Sequence, residues 1–262
     1  MYRGFQLQAN AFTDLTYRQA GEHIFSQLEN TVLPVLNKYV LASGAIDGTK
    51  MQEDWFPSLK RNVFISHSHA NRELAIALAG WLYNSFGLTA FIDSCIWRHA
   101  DDLQREIDDK YCKNTNNDNY NYTRRNYATS HVHMMLNTAL SKMIDRCECL
   151  FFLKTPESTV SSIINDVEKT SSPWIYSELS MSRLIRKKIP KRLDKTELVK
   201  SYSAGGMINE QLRIEYQIEL DHLTTLSATD LSLWHLKGNQ LWRDKDEHVL
   251  DTLYDIKPLK KK

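Results

Sequence analysis

Between Asn62 and Asp93 the sequence spells out one supersecondary unit almost in full. "NVFIS" is a short apolar run of the kind that forms a buried strand. Leu74, Leu78, Trp81 and Leu82 follow at i, i+4, i+7 and i+8, one face of a helix, and Gly87 is placed to end it. "LTAFID" is the second apolar run. Two strands joined through a helix in about thirty residues pair in parallel, with a right-handed crossover predicted. Sheets of this kind place their functional crevice at the carboxyl ends of the strands. Ser66 and His67 end the first predicted strand, and Asp93 and Ser94 end the second.

The pattern continues downstream. Leu103, Ile107 and Tyr111 mark a short amphipathic helix. "CKNTNNDNYNYTRRNYATSH" (112–131), rich in Asn and Tyr, is predicted to be a long surface loop. Leu136, Leu140 and Met143 mark a helix, and "CLFFL" a third buried strand. A polar loop then leads to "SSPWIYSELSMSRLIRKK", a helix that Ser172 can cap, with Pro173 at its first position and Arg186, Lys187 and Lys188 at its negative end. "RIEYQIEL" alternates as a strand, "ELVKSY" is a further strand candidate, and "SATDLSLWHL" and "HVLDTLYDI" begin helices. Residues 1–60 carry mixed helical spacing (Ile24, Leu28, Thr31, then Val32, Val35, Leu36 and Tyr39) interrupted by Pro34. The expected organisation is an N-terminal helical extension over 1–60, an α/β domain over 61–225 and a C-terminal helical segment over 226–262.

With 42% hydrophobic and 25% charged residues, the chain has ample material for a core. Its net charge of +1 argues against a dedicated nucleic-acid binder. "KPLKKK" reads as a solvated tail. No stretch reaches the roughly 18–20 apolar residues of a membrane span, and "MYRGFQLQANAF" lacks a signal-peptide core. Cys95, Cys112, Cys147 and Cys149 form no CxxC and are expected to be reduced thiols in a cytoplasmic protein.

Two features carry candidate chemistry. In "HSHAN", His67 and His69 have the spacing of a metal-binding HxH pair, and His131 and His133 in "SHVHMM" could complete a four-histidine set. Asn71 and Arg72, however, occupy the places where further ligands would be wanted, and neither replaces a carboxylate or imidazole. The competing reading makes the histidines polar residues of a strand-to-helix loop; no metal is expected. The second feature is Glu178. On a helical wheel it shares a narrow stripe with Trp174, Met181 and Ile185, and its own helix offers it no basic neighbour. A carboxylate so placed either pairs with a distant base or opens into a polar cleft.

"VFISHS", "FIDS" and the Trp-x-x-x-Glu of "WIYSE", spread from Arg61 to beyond Lys188, together resemble a TIR (Toll/interleukin receptor) domain of the bacterial, NAD-consuming type. The resemblance implies a flavodoxin-like parallel sheet flanked by helices, with Glu178 as the catalytic residue. It implies cleavage of the nicotinamide–ribose bond of NAD⁺, to ADP-ribose or a cyclic isomer, in antiphage defence of the Thoeris kind. NAD⁺ would then be substrate and no separate cofactor would be needed. Self-association would complete the site, and a downstream effector would read the product. Ser66, His67, Asp93, Ser94, Trp97 and Trp174 are the expected substrate-binding residues, Trp174 chiefly orienting its helix; Arg72 and Arg98 are candidates for phosphate. The sequence departs from the receptor-type pattern in having Asn62 directly before Val63, and "SCIWRHADD" where those receptors carry an Arg-Asp-x-x-Pro-Gly loop. Two other readings compete: a non-enzymatic TIR interaction module, and a nucleoside deoxyribosyltransferase-like enzyme.

Overall fold

The computed structural model describes the chain except residues 9, 30–34, 116–118, 163–166, 194–214, 245–247 and 260–262, and except the side chains of 27–29, 95–98, 161–162 and 239–244. Its elements are β1 (Arg3–Gln8), α1 (Arg18–Glu29), α2 (Gly48–Trp55), β2 (Val63–Ser66), α3 (Arg72–Phe86), β3 (Ala90–Ile92), α4 (Ser94–Ile107), α5 (Tyr122–Arg146), β4 (Cys149–Lys154), β5 (Val160–Ser162), β6 (Val167–Thr170), α6 (Pro173–Leu184), β7 (Tyr216–Gln217), β8 (Leu223–Leu226), α7 (Ala228–Asp244) and α8 (Val249–Ile256).

A five-stranded sheet in the order β3-β2-β4-β1-β8 forms the centre, and every pairing in it is parallel. Helices flank it, giving an α/β, flavodoxin-like architecture. Val63↔Ala90 and Val63↔Cys149 set the register around β2. The β2, β3 and β4 runs are continuous apolar sequence because both faces of their strands are covered. The chain runs from β2 outward to β3, then crosses back over β2 to β4 and onward to β8, so the direction of strand addition reverses at β2/β4. That reversal opens a crevice at their carboxyl ends.

α3 is buried along nearly its whole middle, from Ala75 to Leu82, because it lies against a second helix, α1. Two glycines permit that crossing. A Cβ on Gly80 would stand 2.1 Å from the Tyr17 carbonyl oxygen, and one on Gly21 would stand 1.9 Å from that of Ile76. Gly87 ends α3 in the left-handed region at φ 65°, as its position predicted. α7 packs against α3 through Trp234, whose ring stacks on Phe86 at 4.3 Å and whose Nε1–H donates to the Val249 carbonyl at 2.7 Å. No helix among the described residues is long and apolar enough to cross a membrane.

Five sequence expectations are corrected. Residues 1–60 are not a purely helical extension: Arg3–Gln8 forms β1, which sits between β4 and β8 inside the sheet. Its polar residues pair sideways, Gln6 Nε2 donating to Thr225 Oγ1 at 2.7 Å and Arg3 Nη2 to Thr224 Oγ1 at 3.0 Å. The Asn/Tyr-rich stretch is helical from Tyr122 onward. Asn121 caps α5 by accepting from the Arg124 N–H, and Ala128, Val132 and Leu136 bury one face at i, i+4 and i+8. "SCIWRHADD" is the start of α4 rather than a loop, its first N–H bonded to the Asp93 side chain. The polar segment after β4 folds into the β5–β6 hairpin, joined by Tyr216–Gln217, the only part of "RIEYQIEL" that is strand among the described residues. β8 lies further on, at "LTTL". "ELVKSY", Arg213 and Ile214 lie outside the described residues. α7 and α8 form where the sequence places helices, and so does the start of α6, with Ser172 Oγ accepting from the Ile175 N–H and Pro173 opening it. α6 ends at Leu184, so Arg186, Lys187 and Lys188 lie beyond its last turn rather than in it.

Candidate active site

β2 delivers Ser66 and His67 to the carboxyl edge of the sheet, β3 delivers Asp93, and α6 lays Glu178 across them. All four side chains are buried; Glu178 is 1% exposed. On α6 the covered positions are Ile175, Glu178, Leu179 and Ser182, so the carboxyl group occupies the middle of the buried stripe, while Trp174, Met181 and Ile185 lie partly exposed beside it.

Ser66 Oγ donates to Glu178 Oε2 at 2.6 Å. The other oxygens of the two carboxyl groups, Glu178 Oε1 and Asp93 Oδ2, are buried without a donor of their own, and each group acts electrostatically on the other. Asp93 Oδ1 lies 2.6 Å from His67 Nδ1 and also accepts from the Ser94 N–H at 2.7 Å. The result is a chain, Ser66–Glu178–Asp93–His67, joining three elements. No lysine or arginine among the described residues forms an ion pair with either carboxyl group. Burial raises the Glu178 pKa well above the carboxylate range, and the adjacent Asp93 charge raises it further, while the Ser66 hydroxyl opposes. Burial raises Asp93 as well, opposed by its interaction with Glu178 and by the backbone N–H groups at its carboxyl group. Burial depresses His67 to about 4 despite the nearby Glu178, so its ring is neutral. The neutral ring sets its Nδ1 against Asp93 Oδ1 at 2.6 Å.

Above the β2 and β4 ends lies a cleft of about 480 Å³ lined by Ser68, His69, Ala70, Asp101, Glu157, Ser171, Ser172 and Trp174. Comparison with protein-family models, with curated proteins and with solved structures finds no match. The site therefore stands on its own geometry. Of the sequence-nominated residues, Trp174 walls the cleft, its ring packed edge-on with that of His133 at a centroid separation of 5.5 Å. Glu178, Ser66, His67 and Asp93 converge but do not line it, lying one residue layer inward: Trp174 stands one turn before Glu178, and Ser68 two residues after Ser66. Ser94 contributes its backbone N–H. The Trp97 and Arg98 side chains lie outside the described residues, and Arg72 turns its guanidinium to the Phe25 ring at 4.4 Å, on the α1 side.

The histidines of "HSHAN" thus part company. His67 is a buried partner of Asp93, and His69 lines the cleft. Asn71 is a hub: its Oδ1 accepts from Ser68 Oγ at 2.5 Å and from Thr155 Oγ1 at 2.6 Å, tying the loop after β2 to the loop after β4. Among the described residues the three ligand-type side chains drawn within 4.8 Å of one another are Glu148, His248 and Asp251, at the amino edge of the sheet. Arg192 already bridges Glu148 (2.5 Å) and Asp251 (2.7 Å) there. The sequence reading missed Glu157 and Asp101 in the cleft. For Glu157 a signal existed, since "TPES" directly follows β4 and the carboxyl-edge rule applies to it as to Ser66.

Proposed function

We propose that this chain cleaves the nicotinamide–ribose bond of NAD⁺, as a TIR-type glycohydrolase or ADP-ribosyl cyclase with Glu178 as the catalytic carboxylate. The observation that carries this reading is the placement of Glu178, without a basic partner among the described residues, at the carboxyl ends of β2 and β3 beside the switch-point cleft.

Breaking the bond sends the C–N electron pair to nicotinamide, which leaves neutral, and builds positive charge on the ribose. A carboxylate beneath the ring offsets that charge and accepts from the ribose hydroxyls. A neutral leaving group removes the need for a second carboxyl group as general acid. Water adds to the ribosyl cation and loses a proton to give ADP-ribose, or an internal nucleophile closes a cyclic isomer. In this reading the buried arrangement is the resting one. Substrate entry, with self-association as the completing step, displaces the layer between Trp174 and Glu178. The product would serve as a signal to a separate effector in antiphage defence.

Incubation of the purified chain with NAD⁺, over a range of protein concentrations and with nicotinamide followed by chromatography, tests the proposal. Nicotinamide release that rises more than proportionally with protein concentration and vanishes in Glu178→Gln is expected. Wild-type release by a folded Glu178→Gln protein overturns it. The complete burial of Glu178 favours the second reading, a non-enzymatic TIR module in which the carboxyl group only joins α6 to the sheet; absence of release at every protein concentration supports that one.

A further inference from the structure

Glu178 Oε1 and Asp93 Oδ2 are both buried without a donor, in a cluster where no cation among the described residues neutralises the pair. Two carboxyl groups brought together in this way are accommodated when one proton lies between them. The surroundings are unequal. Glu178 receives one donor, Ser66 Oγ at 2.6 Å. Asp93 receives the Ser94 N–H at 2.7 Å and faces His67 Nδ1 at 2.6 Å. The His67 backbone N–H also donates to it. Negative charge is therefore better solvated on Asp93, and the proton rests on Glu178. The titratable and charged groups around the pair are few: His67 from the end of β2, the two carboxyl groups themselves from the β3–α4 junction and from α6, and Arg72 at the start of α3, which acts on the imidazole. This leaves Glu178 un-ionised at rest, whereas the proposed chemistry wants it anionic.

We propose that Asp93, held by His67, is a positioning residue that shares one proton with Glu178 and takes that proton over when a cationic ribosyl centre approaches. The transfer moves that shared proton: the O–H bond of Glu178 breaks, one forms on Asp93, and the single negative charge of the pair moves to Glu178, beneath the developing cation. The net charge of the pair does not change, so no bulk proton is required. Asp93 touches neither substrate nor reacting atoms. The resting half of this inference stands on the geometry alone; its catalytic half rests on the glycosidic reading above.

Infrared spectroscopy of the resting protein without NAD⁺ tests it separately from that reading. The wild type is expected to show, near pH 7, the C=O stretch of a buried protonated carboxyl group that shifts to lower frequency in D₂O. Glu178→Gln is expected to lose this band. Asp93→Asn, which removes the neighbouring negative charge, is expected to lower the pH at which the band titrates by at least one unit, a shift that a merely structural Asp93 would not produce. A wild-type band absent between pH 6 and 8, or one that survives in Glu178→Gln, overturns the shared proton; if Asp93→Asn does not fold, this comparison alone decides. Where nicotinamide is released, Asp93→Asn should lower kcat at unchanged KM and move the acid limb of the pH profile upward, because Glu178 must then give its proton to bulk water, which the wild-type pair need not do. A profile identical to wild type overturns the relay while leaving Glu178 as the catalytic residue.

Discussion

Replacing Glu178 by glutamine should remove activity and at the same time make the protein more stable. Glutamine has nearly the same shape, its Oε1 can keep the bond that Ser66 Oγ makes at 2.6 Å, and its Nε2–H₂ can donate to Asp93 without a shared proton. Wild-type Glu178 also offers Asp93 a neutral donor, so the difference lies in the proton it must hold near neutral pH after the unfolded chain has released it, about 1.4 kcal/mol for each pH unit between the unfolded and folded pKa. The wild-type pair carries the cost of two acids held together away from water. A gain of roughly 1–3 kcal/mol corresponds to a rise in Tm of about 2–12 °C for a chain of this size. The sign depends on pH. A carboxyl group whose folded pKa is raised contributes most below its unfolded pKa of about 4.3, and that contribution is lost as pH climbs toward the folded value. The advantage of Glu178→Gln should therefore be small near pH 4 and open as pH rises. Thermal denaturation at pH 4.5, 6 and 8, beside nicotinamide release reduced at least about 100-fold, checks both halves. A variant that is less stable than wild type by a margin independent of pH would refute the reasoning, because it would mean that the native carboxylate is ionised and held by an attraction not described above.

Gly80→Ala places a Cβ 2.1 Å from the Tyr17 carbonyl oxygen, so α1 and α3 must separate; a loss of about 1–3 kcal/mol is expected by urea denaturation. Ser66→Ala leaves Glu178 Oε2 without its donor and should cost about 1–3 kcal/mol while lowering any NAD⁺ cleavage. His67, neutral in the fold and held down at about 4, must be protonated to match the unfolded chain as pH falls from about 6.5. It thus contributes a stability loss between about pH 6.5 and 4 that should shrink in His67→Asn, read as the difference in urea midpoint across that range. Burial pushes the Cys147 thiol up to about 12 and Cys149 well above its ordinary value. Both should resist thiol reagents in the native protein and react promptly in denaturant, as a spectrophotometric thiol titration would report.

What was legible in the sequence follows from how each element is stabilised. β2, β3 and β4 are covered on both faces and so announce themselves as apolar runs, and α3 and α6 carry their own stop and start signals in Gly87, Ser172 and Pro173. β1 and β8 stayed hidden because part of their side-chain pairing is polar. Gln6 with Thr225 and Arg3 with Thr224 satisfy one another across the strands, so "RGFQLQ" and "LTTL" show no continuous greasy stretch. The first half of α5 was obscured for a related reason: one narrow buried face, begun by Ala128 and Val132, supports a helix whose other sides are polar or aromatic and exposed. At the site, Ser66, His67, Asp93 and Glu178 were found by the strand-end rule and by one misplaced charge. Their mutual contacts were not, since no spacing in a sequence encodes which two carboxyl groups will share a proton.

The position of β1 has a consequence for how the molecule is made. Gln6 bonds to Thr225 across 219 residues of chain, so at ribosomal speeds of about 5–20 residues per second β1 waits roughly 11–44 seconds for its outer neighbour to emerge. Pairings this distant must bear the entropy of closing a very long loop before they return any gain, which slows assembly. A fragment beginning at Arg61 would retain all three apolar strands and still leave a slot between β4 and β8, its two open edges ready to pair with those of another molecule.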